Sequence, residues 1–264
     1  KFWGFLLVIV LMTSCGEYQS LLKSNDYNLV YKKAIEYYNK GDYQRAMNLL
    51  DGVRSVFVGQ AKAQNIAYYR AFCSYNMKDY QIASDLFKQF IQTYPESSFA
   101  EECLYMMGFC DYKASPKPRL DQQVTEKAIR EFQLYLSRYP YSMRKDKVNT
   151  YMDEMRDKLS YKAYLSAKNY YLREHYKAAV ISLQNCLKDY PGSKYREEIM
   201  YMLFVSKYQM AVNSVEDKKV ERYNNAREEY YYFADEYPNS RYAADVKKMY
   251  EDIEAYLENY KFED

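Results

Sequence analysis

The stretch Ala71-Phe72-Cys73-Ser74-Tyr75-Asn76-Met77-Lys78-Asp79-Tyr80-Gln81-Ile82-Ala83, closed twelve residues later by Tyr94-Pro95-Glu96-Ser97, decides the fold. Two small residues twelve apart flank a polar turn, Lys78-Asp79-Tyr80, and a proline follows the second segment. That is the pattern of a helical hairpin: two helices meet at small side chains that admit close approach, and proline, which lacks a backbone N–H, stops the second helix. Working outward, Tyr-Pro-x-Ser recurs at Tyr94, Tyr139, Tyr190 and Tyr237, and an alanine stands twelve residues before each proline, at Ala83, Ala128, Ala179 and Ala226. Ala46 opens the series without a proline. A small residue lies twelve positions earlier again at Ala34, Ala71 and Ala167, whereas Gly108 to Ala128 and Phe204 to Ala226 are 20 and 22 apart. The third and fifth hairpins therefore carry insertions of 8 and 10 residues. Pro116 and Pro118 mark Lys113 to Val124 as an exposed loop in the first of these.

The composition agrees with a helical chain and removes several functions. Only seven of 264 residues are glycine, which argues against a loop-rich or barrel architecture. Lys and Arg number 38 against 36 Asp and Glu, so the chain has no bulk attraction for phosphate backbones and nucleic acid is not an expected partner. A single histidine, His175, leaves no parts for a His-based triad or a multi-His metal site. No glycine-rich phosphate loop, Cys-x-x-Cys pair or Gly-x-Ser-x-Gly elbow occurs, so no enzyme activity and no cofactor is expected. Glu101-Glu102 and Glu197-Glu198 sit at helix starts, where carboxylates favour the dipole. Ser98 and Glu101 have capping-box spacing. Cys73, Cys103, Cys110 and Cys186 fall in apolar helical patterns as small core residues.

At the N-terminus, Phe2 to Met12 is an apolar run after Lys1, too short at ~1.5 Å per residue to cross a ~30 Å hydrocarbon layer. It suits the apolar core of a secretory signal. Leu11-Met12-Thr13-Ser14-Cys15 then resembles a bacterial lipobox, with Met12 where Leu is commonest. The resemblance implies diacylglycerol and N-acyl lipid (palmitate-type chains) on Cys15, several chains giving a firm anchor. With Gly16 next, it favours the outer membrane.

The small residue, the Asp-Tyr-x-x-Ala turn and the terminal proline resemble the tetratricopeptide (TPR) repeat. The resemblance implies an all-α, right-handed α-solenoid of five hairpins after the short signal segment. The expected layout is a signal segment over 1–15, a short tether over 16–24, and repeats at about 25–60, 61–97, 98–142, 156–193 and 194–262. Three before and four after each first-helix marker stand Tyr31 and Tyr38, Tyr68 and Tyr75, Tyr105 and Tyr112, Tyr164 and Tyr171, Tyr201 and Tyr208. Each pair is seven apart and shares one helix face. Such repeats turn these positions to a concave side. With Phe72 and Phe109 between them, Tyr31, Tyr38, Tyr68, Tyr75, Tyr105 and Tyr112 would line an apolar groove for an extended peptide, unless the rings serve mainly to pack repeat on repeat. The fourth repeat has Lys168 at that position.

Lipobox and five repeats together resemble the BamD family, lipoproteins of the outer-membrane β-barrel assembly machine. That resemblance implies a scaffold on the periplasmic face, binding the POTRA region of a BamA-like barrel through its C-terminal repeats. Its N-terminal repeats would take the C-terminal signals of unfolded outer-membrane proteins, and other assembly-machine lipoproteins could join. A periplasmic tetratricopeptide adaptor for cell-envelope or division complexes is the alternative.

Overall fold

The computed structural model describes residues 16–260. Among these every regular element is a helix: α1 (16–22), α2 (Tyr27–Asn39), α3 (Tyr43–Val53), α4 (Lys62–Asn76), α5 (Tyr80–Thr93), α6 (Ala100–Ala114), α7 (Gln123–Arg138), α8 (Lys145–Leu172), α9 (Tyr176–Asp189), α10 (Arg196–Val212), α11 (Glu216–Glu236) and α12 (Ala243–Tyr260). The fold is the all-α helical repeat that the small-residue spacing predicts. Among the described residues, 16–116 with 120–155 make one compact unit, and 117–119 with 156–260 make a second.

The hairpins close as their chemistry requires. Ala34, Ala46, Ala71, Ala83, Ala128, Ala167, Ala179 and Ala226 are all fully buried, and so is Phe204. The short turns share one backbone solution: Gly41, Lys78 and Glu174 adopt φ of +80°, +68° and +60°. Asp42, Asp79 and His175 then donate their N–H groups to Tyr37, Ser74 and Tyr170 carbonyls at 2.9, 3.0 and 3.0 Å. This left-handed closure satisfies carbonyls that a helix end leaves unpaired, at a steric cost for the two non-glycine residues. Asp42 also caps α3 through the Arg45 N–H (3.2 Å), whereas exposed His175 makes no side-chain cap.

Four features depart from the sequence reading. The 16–24 segment, expected as a short tether, is helical over 16–22. Helix α1 buries Tyr18 and Leu21 in the first-repeat core, Asn48 donates to the Tyr18 hydroxyl (3.0 Å), and Lys33 pairs with Glu17 (2.9 Å). The stretch left between the third and fourth repeats is helical, because α8 starts at Lys145 and inserts Val148, Met152 and Met155 into the core of the first unit. The two insertions take different forms. In the third hairpin the extra residues make the 115–122 loop, exposed at Lys117, Arg119 and Leu120 but anchored by buried Gln122, which accepts from the Thr125 hydroxyl (2.7 Å). In the fifth they lengthen α11 to 21 residues. Finally, Ser98 is exposed and α6 carries no side-chain cap; the serine that works there is Ser97.

Candidate functional site

Each Tyr-Pro-x-Ser serine does two jobs. Its Oγ accepts from the N–H two residues on, at Phe99, Arg144 and Tyr195 (3.2 Å each) and Tyr242 (3.0 Å), which starts the next helix. It also reaches a fixed position near the start of the repeat that it closes. Ser97 donates to Gln64 (2.8 Å), Ser142 to Glu101 (2.7 Å) and Ser240 to Glu197 (2.6 Å), while Ser193 accepts from Ser160 (2.7 Å). Gln64, Glu101, Ser160 and Glu197 all lie seven residues before the first-helix marker, so one polar bond recurs at every such junction. The acidic pairs at helix starts are therefore junction residues. Glu101 also accepts from the Tyr135 hydroxyl (2.9 Å), and Glu102 from Tyr68 (2.9 Å).

The tyrosine face is built on this frame. In the first unit the rings form a continuous row. Tyr38 meets Tyr69 at 4.9 Å, Tyr69 meets Tyr68 at 5.5 Å, and Tyr68 meets Phe72 at 4.5 Å. The row continues through Tyr75 (6.4 Å from Phe72) to Phe109 (6.2 Å) and Tyr112 (5.9 Å). Tyr105 joins by stacking on Phe109 at 5.7 Å but is itself buried beneath the Arg144 guanidinium, 4.7 Å from its ring. Tyr31 stands apart against Phe57 and the Lys62 ammonium. Sequence spacing missed Tyr69, which bridges Tyr38 and Tyr68, and Tyr151: Tyr151 stacks on Tyr112 at 4.4 Å and lies 5.4 Å from Phe109. Its signal was the neighbouring apolar series Val148, Met152, Met155 at helical spacing.

Most of these rings are half-buried, so their faces pack repeat on repeat while an edge meets solvent. The hydroxyls are held too. Tyr112 donates to Glu154 (2.5 Å), and that bond, together with burial, pushes its hydroxyl up to about 12. Burial pushes Tyr38 up to about 12 as well, where Asn76 donates to its hydroxyl (3.4 Å). Tyr38 and Tyr112 therefore stay neutral at ordinary pH. Cys73, Cys103, Cys110 and Cys186 are buried and unpaired, and burial pushes the Cys73 and Cys103 thiols up to about 12. They are inert.

The second unit repeats the spacing with different chemistry. Lys168 donates to both the Tyr164 hydroxyl (2.8 Å) and Glu198 (2.7 Å), and Tyr164 stacks on Tyr195 at 4.4 Å. Tyr208 donates to Asp252 (3.1 Å), and Tyr201 stacks on Tyr242 at 4.0 Å. A cleft of about 670 Å³ opens beside Tyr161, Tyr164, Lys162 and Lys168. This face sets charged partners, Lys168 with Glu198 and Asp252 with Tyr208, among its rings, where the row of the first unit runs ring to ring. Among the described residues no His/Cys/Asp/Glu group could hold a metal, and no helix is long and apolar enough to cross a membrane. Cys15 and the signal segment lie outside the described residues.

Helical hairpins locked by recurring junction bonds, with one aromatic helix face, define a helical-repeat protein. Residues 23–198 and 162–263 match the model of the YfiO (BamD) family, described as outer membrane lipoprotein, and the chain belongs to that family. The overlap at 162–198 is natural for a repeat, which a family model can match in more than one register. Among solved structures, a TPR repeats protein from Bacteroides fragilis is similar at 13% identity and a TM-score of 0.42, covering 88% of this chain and 99% of that one. The TPR2AB domain of yeast Sti1, in its pHSP90 complex, is similar at 14% identity and a TM-score of 0.39, covering 86% and 98%. No curated protein matches the chain.

Proposed function

We propose that this chain is a non-enzymatic scaffold lipoprotein of the outer-membrane β-barrel assembly machine, held by lipid on Cys15 at the periplasmic face. The observation that carries the proposal is the family match, which spans both compact units and so applies to the whole repeat array. In this reading the aromatic row from Tyr38 to Tyr112 receives the C-terminal signals of unfolded outer-membrane proteins. Half-buried ring edges offer apolar contact without ordering cost, because neighbouring rings already fix their rotamers. The face of the second unit, around the cleft beside Tyr161 and Tyr164, serves the POTRA region of a BamA-like barrel, and further assembly lipoproteins dock elsewhere.

The test uses a photo-cross-linking residue in place of Tyr75, with Ile82 on the outward side of α5 as control, followed by purification from detergent-solubilised outer membranes. Capture of unfolded barrel proteins at 75 and not at 82, with a POTRA-bearing barrel copurifying, is the expected result. Capture at neither position, with division or peptidoglycan proteins copurifying, would replace the assembly reading by an adaptor role.

A further inference from the structure

The four Tyr-Pro-x-Ser turns are one backbone motif, and one of them carries different side chains. In each, the serine N–H donates to the tyrosine carbonyl at 3.0–3.2 Å, so equivalent side chains project alike. The residues on either side of the serine are Glu96 and Ser98, Gly192 and Lys194, Asn239 and Arg241 in three turns; in the remaining one they are Tyr141 and Met143. Tyr141 is 98% exposed and Met143 102%, the highest values among the exposed large hydrophobic residues. Neither makes an aromatic contact, while ring-to-ring contacts bind most other tyrosines of this unit. Around them stand Arg138, Arg144, Lys145 and Lys147 with Asp146, while Glu101 and Glu102 reach the turn from α6, Glu101 accepting from Ser142 (2.7 Å) and Glu102 facing Arg144 (3.5 Å). Arg138 donates to the Pro95 carbonyl (3.0 Å), and Arg144 is engaged with both the Tyr105 ring and Glu102, which leaves Lys145 and Lys147 as the exposed cations at the start of α8.

We infer that the 139–147 turn is a membrane-contact tip that inserts Tyr141 and Met143 into an anionic phospholipid surface. The side chains protrude, so whatever covers them must deform around them or present a cavity of matching shape; a bilayer surface needs only to part its headgroups. Tyrosine is suited to that depth, with its ring among the upper acyl chains and its hydroxyl among the headgroups. The flanking cations complement lipid phosphates, each worth roughly a fivefold gain in affinity close to an anionic surface. Membership of an outer membrane lipoprotein family places the chain at a bilayer. A tip in the third repeat would add a second point of contact and so fix how the array faces the membrane.

Tryptophan at the tip reads this directly, because the chain's single tryptophan, Trp3, lies in the signal segment. The lipidated protein, which begins at Cys15 once the signal segment is removed and so lacks Trp3, is made with Tyr141→Trp and reconstituted in vesicles of phosphatidylethanolamine with a minority of phosphatidylglycerol. A tip about 5–10 Å into the interface should be quenched at least about twofold by brominated acyl chains. High salt, Lys145→Ala with Lys147→Ala, or removal of phosphatidylglycerol should reverse the quenching, and Asn239→Trp in place of Tyr141→Trp should show none. Flotation with the vesicles reports the Cys15 anchor separately, so a chain that floats without being quenched keeps the anchor and overturns the tip. Solvent-like, unquenched emission from position 141 in these vesicles overturns the inference, as does shielding that arises only when a protein partner is added.

Discussion

The third and fifth hairpins carry the two insertions, and they solve the same packing problem in opposite ways. In the third, the marker is Gly108, and a Cβ there would meet the Phe132 ring at 2.9–3.0 Å. The fully buried Phe132 fills what Gly108 vacates. In the fifth, the marker is Phe204, fully buried, and the position equivalent to Phe132 is Tyr230, 6.2 Å away and tilted at 56°. One aromatic ring occupies each crossing, supplied by opposite helices. The polar layer three residues further on differs as well. Asp111 and Glu131 face each other in the third hairpin, with Lys127 2.9 Å from Asp111 and 3.7 Å from Glu131, and Ser84 donating to Asp111 at 2.9 Å. In the fifth the same positions are Lys207 and Glu229, paired at 2.5 Å. The comparison teaches that the spacing rule fixes which positions meet, while the side chains at those positions decide size and charge.

Substitutions at these crossings sharpen it, beginning with the largest effect. Phe204→Ala would not convert the fifth hairpin into an ordinary Ala-Ala one, because the helix separation is set by the whole interface; a cavity is expected to remain, costing about 3–5 kcal/mol. Chemical denaturation reads this, and a loss under ~1 kcal/mol would show that α10 and α11 can close on each other.

The acid layers should respond with opposite signs. Glu229→Gln strands partly buried Lys207 and should cost about 3 kcal/mol at neutral pH. Glu131 behaves otherwise: burial, reinforced by the Asp111 carboxylate and only partly opposed by Lys127, pushes it from 4.5 up to about 8. Its folded-state pKa is raised, so the stability of the protonated form is fully present below about 4.5 and is lost as pH rises through about 8. Glu131→Gln keeps that site neutral and should gain about 1–2 kcal/mol over wild type above pH 8, with a flatter stability profile across the window. Equal pH profiles for the variant and wild type would remove the acid–acid contrast.

Gly108→Ala should give the smallest change. Alanine gains up to about 1 kcal/mol of helix propensity, but the contact with an immobile Phe132 costs about 1–3 kcal/mol, so a net loss near 1 kcal/mol is expected in thermal unfolding. A stabilised variant would mean that α6 and α7 separate freely at this crossing.

Much of the fold was legible because its determinants are local and periodic. Ala71, Ala83 and Pro95 each act through the helix they sit in or the neighbour twelve residues away, and the same arithmetic placed the Tyr68 and Tyr75 pair on one face. The docking of α1 was harder to read, since Tyr18 and Leu21 are two apolar residues in a short polar segment and their partners, Asn48 and Arg45, lie in another helix. The site was legible as positions and not as surroundings: Tyr105 shares its register with Tyr68, yet Arg144 covers it and buries it.

By itself the sequence determined the helical-repeat class, the hairpin register and the aromatic face, because small-residue spacing, proline stops and seven-residue offsets are set by helix geometry within a single stretch of chain. Tertiary structure alone decided that Glu101, Glu197 and Gln64 bond the serines of the next turn, that Tyr151 completes the aromatic row, and that one insertion became a loop and the other a longer helix. Those outcomes depend on which side chains from distant segments arrive at the same point, and on whether burial there leaves a polar group with a partner.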